Sequence, residues 1–355
     1  MLRLILQAKI FSSMAAGQVG KCMSDHPSVL VVGCGSIGER HFRCFRNTGR
    51  ARVGACDTNP ALRAHIRAQY DDEPVWESLD AALESSVWDA IVICTPANSH
   101  VPIAQRALAH GSAVLIEKPL SIGLDGVDAL VTQAGTSRKP VVVAYVYHSM
   151  PAMVQARAFL LAGSLGKPLQ VTVCAGQHFP EFRPAYRDIY YNNHATGGGA
   201  IQDALTHLVN AVEWIIGPAT SVFCQAAHMA LEGVAVEDTV SVTARHGETI
   251  VSYSLNQFQI PNETTVAIHC EHGSVKLEAH EQRWGVYRKG DKAWEWHSAK
   301  VTHRDDLFTA QANSFLDAME GKPHNLCSLE EAFRTLKFNL AALDSARSGK
   351  VIRIS

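Results

Sequence analysis

Asp203 and His207 stand four residues apart in the run Gly197-Gly198-Gly199-Ala200-Ile201-Gln202-Asp203-Ala204-Leu205-Thr206-His207. On a helix this spacing puts both side chains on one face, together with Asn210. A carboxylate beside an imidazole can orient the ring and raise its basicity, which is what a general base needs. The same letters would fit a capping Asp and a partly buried His with its bonds satisfied. The three glycines favour a site, because they let backbone approach a ligand closely. Lys118 is a second candidate. It follows the apolar run Ala113 to Ile116 in Glu117-Lys118-Pro119. Pro119 stiffens the chain there, so the ammonium group is held. Desolvation at that point would lower its pKa toward working pH. A solvated Glu117–Lys118 pair is the plainer alternative.

A third group handles phosphate rather than protons. Ser28 to Val32 reads as a buried strand that breaks into Gly33-Cys34-Gly35-Ser36-Ile37-Gly38. In this G-x-G-x-x-G pattern Gly33 allows the tight turn, Gly35 lets a pyrophosphate near the backbone, and Gly38 lets helix and strand pack closely. The N–H groups at the helix start, Ser36 and Ile37 among them, would meet the phosphates where the helix dipole is positive. A second strand, Arg52 to Cys56, ends in Asp57, nineteen residues past Gly38. An acid at about that distance binds the ribose hydroxyls of NAD. It would repel the extra phosphate of NADP, and neither Thr58 nor Asn59 supplies an arginine for one.

The elements that must position these groups alternate. Helical patterns at 61–70, 100–110 and 124–134 separate apolar strands at 90–94, 113–116 and 141–146. That alternation implies a doubly wound parallel sheet, with ligands beyond the carboxyl ends of its strands. Thr95, Pro96, His100, Glu117, Lys118, Tyr147 and His148 all lie at or just past such ends. After Pro151 the pattern changes. One helix (151–162) is followed by strands at 169–175, 221–227, 239–245, 250–257, 264–269 and 274–278. Several alternate apolar with polar, which suits an antiparallel sheet with one wet face. Helices return at 305–319 and 329–348. The expected fold is α/β: an N-terminal Rossmann doubly wound parallel sheet, then an α+β domain with a large, mostly antiparallel open sheet. The domain boundaries read as an extension 1–27, a nucleotide domain 28–148, a substrate and oligomerisation domain 149–328, and a C-terminal helix 329–355 packed on the first domain.

Composition narrows the function. The 355 residues carry 32 Lys and Arg against 34 Asp and Glu. So near-neutral a chain has no footprint for nucleic acid or an anionic membrane. No apolar run reaches the ~18 residues of a membrane span. Nine cysteines lack C-x-x-C spacing, and several sit in apolar strands, so they read as reduced thiols of a cytoplasmic protein without a metal site. The Trp-rich stretch 284–296 reads as core or surface. Residues 1–24 hold no acid, and translation could begin at Met14 or Met23.

From Ser28 onward the chain resembles the Gfo/Idh/MocA oxidoreductases. The resemblance rests on GCGSIGERH, TPANSH, EKP and GGGAIQDALTH. It implies that Lys118, Asp203 and His207 form the catalytic group, and that Glu117, Thr95 and Pro96 line the nicotinamide end. It also marks Arg183 to Tyr190 as a substrate loop, with Arg187 and Tyr190 as contacts beside Tyr147, His148 and Gln202. Ala97, Leu205 and Asn210 differ from the family's commoner residues and leave the substrate open. The implied activity is NAD-dependent hydride transfer at a secondary hydroxyl or ketone of a sugar, sugar derivative or cyclitol, by a homodimer or homotetramer joined through the C-terminal sheet. A redox-neutral, NAD-using glycoside hydrolase would use the same residues. A sugar-sensing regulator on this fold would not need them.

Overall fold

The computed structural model describes residues 26–70 and 73–355. The N-terminal extension expected at 1–27, and any start site within it, therefore lies almost wholly outside the described residues.

The first layer is built by strands β1 (Ser28–Val32), β2 (Arg52–Cys56), β3 (Val75–Trp76), β4 (Ala90–Ile93), β5 (Ala113–Ile116) and β6 (Val141–Val143). Between them run helices α1 (Ser36–Asn47), α2 (Pro60–Gln69), α3 (Leu79–Ser85), α4 (His100–Ala109) and α5 (Val127–Thr136). The spatial order is β3-β2-β1-β4-β5-β6, all parallel. β1, β4 and β5 are buried at every position, because helices cover both faces of the sheet. The order reverses between β1 and β4, and a crevice opens there at the carboxyl ends.

The second domain starts with α6 (Pro151–Leu161), β7 (Pro168–Gly176) and a single turn, α7 (Phe179–Phe182). Next come α8 (Thr206–Ile216) and strands β8 (Ser221–Ala227), β9 (Thr239–His246), β10 (Thr249–Asn256), β11 (Glu263–Cys270), β12 (Gly273–Glu278), β13 (Arg283–Arg288) and β14 (Glu295–Ser298). They form a nine-stranded sheet, order β14-β13-β12-β11-β7-β10-β9-β8, closed by a short edge strand described below. Only β7 and β10 pair in parallel. Buried and exposed residues alternate along β9 and β10, so one face packs on α6 and α8. Leu169 on β7 and Ile250 on β10 stand exposed. The Trp-rich stretch forms β13 and β14, with Trp284 in the core and Trp296 at the surface. Gly285 makes this possible: a Cβ there would come within 2.7 Å of the Trp296 ring, which lies across the glycine. A cross-strand aromatic covering a glycine is a known way to hold such a hairpin.

Four further elements complete the chain: α9 (Arg304–Met319), β15 (Cys327–Ser328), α10 (Leu329–Ser348) and β16 (Ile352–Arg353). β15 adds antiparallel to β6 of the first sheet, and β16 adds antiparallel to β8 of the second. A reciprocal cap starts α10: Ser328 Oγ accepts from Glu331 N, and Glu331 Oε2 accepts from Ser328 N. Leu329, Ala332 and Leu336 of α10 belong to the core of the first domain, and Phe338, Ala341 and Ala342 to that of the second. The helix expected to pack on the nucleotide domain thus serves both.

Candidate active site

The glycine turn is built as a cradle. Gly33 has φ +93°, a left-handed value that favours glycine. A Cβ on Gly38 would lie 1.7 Å from the Gly33 carbonyl oxygen, so only glycine lets α1 sit against the turn. Gly35 faces open space, with nothing within 4 Å of its would-be Cβ. The first bond of α1 runs from Glu39 N to Gly35 O at 2.8 Å. The N–H groups of Ser36, Ile37 and Gly38 precede it and have no helical acceptor. Asp57 is fixed beside this turn. Its carboxylate accepts from Cys34 N and Asn59 N, both at 2.7 Å. An open glycine face, free helix-start donors and an anchored carboxylate suit a dinucleotide. Arg63 of α2, six residues past Asp57, folds back to donate to the carbonyls of Asp57 and Thr58. An arginine therefore does reach this loop, although Thr58 and Asn59 supply none.

Beyond the turn, β4 delivers Thr95 and β5 delivers Glu117 and Lys118. Glu117 is buried. One of its oxygens lies 2.7 Å from His41 Nε2, and the other accepts from Lys118 N. Burial pushes the carboxyl up, but His41 outweighs it and holds the pKa below the ordinary value. The sequence reading passed over His41. Its signal was position: three residues past Gly38, on the second turn of α1.

Asp203 is the hub of a buried polar cluster. It lies in a π-helical turn, Ile201–Leu205, that leads into α8, a feature frequent at functional sites. Its side chain is 1 % exposed. Lys118 Nζ reaches Asp203 Oδ1 at 2.9 Å and the Asp203 carbonyl oxygen at 3.0 Å. Arg183 donates to Oδ2 at 3.0 Å, and the Tyr190 hydroxyl to Oδ1 at 2.6 Å. Burial would raise this carboxyl, but Lys118 and Arg183 hold it far below the carboxylate range. For Lys118, burial lowers the pKa and Asp203 raises it, and the second effect wins. The ammonium form is kept. The fall expected for a desolvated lysine is overturned by its buried counter-ion.

His207 differs from expectation in two ways. No hydrogen bond joins it to Asp203, whose oxygens serve Lys118, Arg183 and Tyr190. Its Nδ1 is buried without a partner among the described residues. The ring is held by contact instead, edge-on to Tyr145 at 5.9 Å and tilted over Tyr147 at 5.4 Å. Burial and then the Lys118 charge push its pKa well below 6.5, with Asp203 opposing and losing. The upward shift expected from a neighbouring carboxylate is therefore reversed, and the ring is a neutral free base at pH 7. A group with a lowered pKa loses its base form only as pH falls through that lowered value. Oxidation rate is thus expected to stay flat from pH 7.5 to pH 6.5 and fall only below it; a steep limb above pH 6.5 in a kcat/KM profile would contradict this.

The comparisons with known proteins fit this geometry. Residues 28–145 match the model of an oxidoreductase family with an NAD-binding Rossmann fold, and residues 153–276 match the GFO/IDH/MocA C-terminal domain. The chain belongs to the Gfo/Idh/MocA family. It is an NAD-dependent oxidoreductase acting on CH–OH groups. It is 24 % identical over 335 residues to an inositol 2-dehydrogenase of Rhizobium meliloti strain 1021, covering 92 % of this chain and 98 % of that one. A D-apiose dehydrogenase of Paraburkholderia graminis is 24 % identical over 70 % of this chain and 67 % of its own. Among solved structures, a levoglucosan dehydrogenase with NADH and levoglucosan superposes with TM-score 0.83 at 18 % identity, over 93 % of this chain and 100 % of that one.

Other residues singled out in this family member serve as supports. His100 was expected at the cofactor, yet its two nitrogens face the carbonyls of Pro119 and Thr95, at 2.9 and 2.7 Å. It ties two loops together. His148 was expected at the substrate. It is buried, bonded to Asn325 O and Asn210 Oδ1 and stacked on Trp214 at 4.1 Å. Asn210 accordingly faces this support and not the Asp203 stripe. Gln202 donates to the carbonyls of His194 and Gly198 and braces the glycine run. Arg187 lies over Tyr186 and bonds Glu232 O. Arg183, four residues earlier, takes the place at Asp203. It does so because α7 turns the chain and seats the guanidinium over Phe179 at 5.1 Å.

Proposed function

We propose that this oxidoreductase moves a hydride between NAD and a secondary hydroxyl or ketone of a sugar, sugar derivative or cyclitol, with Lys118 and His207 as its acid–base pair. The observation that carries this is geometric. Lys118 is ion-paired with buried Asp203 at 2.9 Å, which favours its cationic form. His207 instead sits between Tyr145 and Tyr147, with no carboxylate bonded to it among the described residues, and burial favours its neutral form. Environments that push two titratable groups apart assign an acid and a base. His207 takes the hydroxyl proton. Lys118 donates a hydrogen bond to the same oxygen and stabilises the alkoxide charge that develops on it. Asp203 keeps Lys118 protonated and in place, and Tyr190 and Arg183 fix Asp203. A bound NAD would supply the hydride acceptor. The glycine turn would hold its phosphates and Asp57 its ribose, while Thr95 and Pro96 would line the nicotinamide end. The substrate class is supported by relatives named for inositol, apiose and levoglucosan. The test is a panel of sugars, sugar derivatives and cyclitols with NAD, read at the NADH absorbance band; binding of NAD without oxidation of any member would refute the assignment.

Asp57→Ala is expected to narrow the preference for NAD over NADP, because the carboxylate that repels a 2′-phosphate is gone while Arg63 remains. Fluorescence titration of both oxidised cofactors checks it, and an unchanged ratio would remove Asp57 from cofactor choice. The exposed Leu169 and Ile250 support association through the open sheet as a homodimer or homotetramer. The eight cysteines in the described residues are unpaired, which supports a reducing, cytoplasmic setting. No helix of the described residues is long and apolar enough to cross a membrane.

A further inference from the structure

The glycine run at 197–199, expected to let a ligand approach, is filled by the protein itself. A Cβ on Gly198 would collide with the Tyr191 carbonyl oxygen, and one on Gly199 would come within 2.6 Å of the Glu237 carboxylate. Glu237 is buried and stands in the loop 228–238, between β8 and β9. It grips the start of the helical stretch that carries Asp203 and His207. Its Oε1 accepts from Ile201 N and its carbonyl oxygen from Ala200 N, both at 2.9 Å. N–H groups at a helix start lack a helical acceptor, and a carboxylate there also suits the helix dipole. The second oxygen, Oε2, lies 2.5 Å from Nε2 of half-exposed His194. One carboxylate thus joins the π-helical turn to the loop before the glycines.

That loop bears Arg183 and Tyr190, whose side chains both bond Asp203. It packs with loop 228–238 as a separate unit. Phe179, Tyr186, Tyr191, Leu231 and Val236 form an apolar cluster of their own. The Tyr186 hydroxyl donates to Glu232 O at 2.8 Å. Asp238 pins the second loop by accepting from the N–H groups of Met229, Ala230 and Leu231 at 2.9, 2.8 and 2.8 Å. Glu237 is the point where this two-loop unit meets the helical stretch of the site.

We propose that Glu237 is a positioning residue for the oxidation: it sets the two-loop unit against the π-helical turn, so that Arg183 and Tyr190 meet Asp203, and Asp203 in turn holds Lys118. This rests on the functional reading above. Glu237 acts through these groups and not on the substrate. A misplacement of about 1 Å at reacting groups costs on the order of 10²-fold in rate, so a carboxylate outside the chemistry governs turnover through geometry. The phosphate cradle at the start of α1 belongs to the other domain and does not depend on it.

Glu237→Ala and Glu237→Gln test this in the full chain, with NAD and the panel of sugars, sugar derivatives and cyclitols. Glu237→Ala is expected to lower kcat roughly tenfold or more on the folded fraction, while NAD affinity by fluorescence stays nearly unchanged. Glu237→Gln should recover most of that loss, because its amide oxygen still accepts from Ile201 N. Glu237→Ala combined with Tyr190→Phe should be little slower than the slower single variant, since both act through Asp203. A crystal structure of Glu237→Ala should show Arg183 or Tyr190 drawn away from Asp203. Normal kcat in folded Glu237→Ala, even with earlier melting, would make Glu237 a support of the fold and overturn the proposal alone. A Glu237→Gln variant no better than Glu237→Ala would also overturn it, as would Arg183 and Tyr190 unmoved in the crystal. Failure of the unaltered chain to oxidise any panel member with NAD bound would refute the functional reading and this proposal together.

Discussion

Lys118→Ala is expected to reduce kcat by about 10²-fold or more while NAD affinity stays nearly unchanged. The magnitude is that of losing an acid–base partner or an oxyanion donor. The ammonium bonds the Asp203 side chain and its carbonyl, so it is a fixed donor and needs no reorganisation during reaction. The phosphate cradle lies at the start of α1 and does not use this side chain. Removing Lys118 leaves Asp203 with Arg183 and Tyr190, so the carboxylate keeps a counter-ion. The opposite change is harsher. Asp203→Ala strands Lys118 and Arg183 together, and breaking a buried ion pair typically costs ~3–5 kcal/mol of stability. Turnover must therefore be measured on the folded fraction. Lys118 and Asp203 act as one unit, so the double variant should be little slower than Lys118→Ala alone. Full additivity in such a cycle, or normal turnover in Lys118→Ala, would place the chemistry elsewhere.

His207→Ala should be comparably severe, a loss of ~10²–10⁴-fold in kcat for oxidation, because no other neutral base stands in the cluster. Its effect on melting should be small by comparison. The ring donates no hydrogen bond to Asp203, and Nδ1 has no partner among the described residues to strand. What is lost is packing between Tyr145 and Tyr147. Thermal melting followed beside kcat separates the two roles. A variant that melts early yet turns over normally would make His207 a packing residue.

Much of this was legible in the letters. The glycine turn depends on local backbone and on one acid a fixed distance along, so a single strand–turn–helix reports it. Lys118 and the Asp203–His207 spacing were visible because each sits at a strand end or on one helical face. The wiring among them was not. The Lys118–Asp203 bond spans 85 positions, and no local pattern says which cation claims a carboxylate. The sequence reading chose Arg187 and passed over Arg183, and a four-residue helix reverses that choice. The directions of the pKa shifts were lost for the same reason. They depend on the sum of Lys118, Arg183, Arg304 and burial at one point in space, whereas sequence offers one neighbour at a time. His148 shows the reverse error: a histidine past a strand end looks chemical, yet a tryptophan and an asparagine hold it in packing.

The segment from β15 through α10 to β16 puts a strand into each sheet and a half-helix into each core. It acts as a clasp. Fraying at the β8 edge pulls on the same helix that anchors the β6 edge, so neither sheet can loosen without loading the other. Architecture counts two domains in this chain, while the shared clasp is expected to make them unfold together, as one transition in calorimetry.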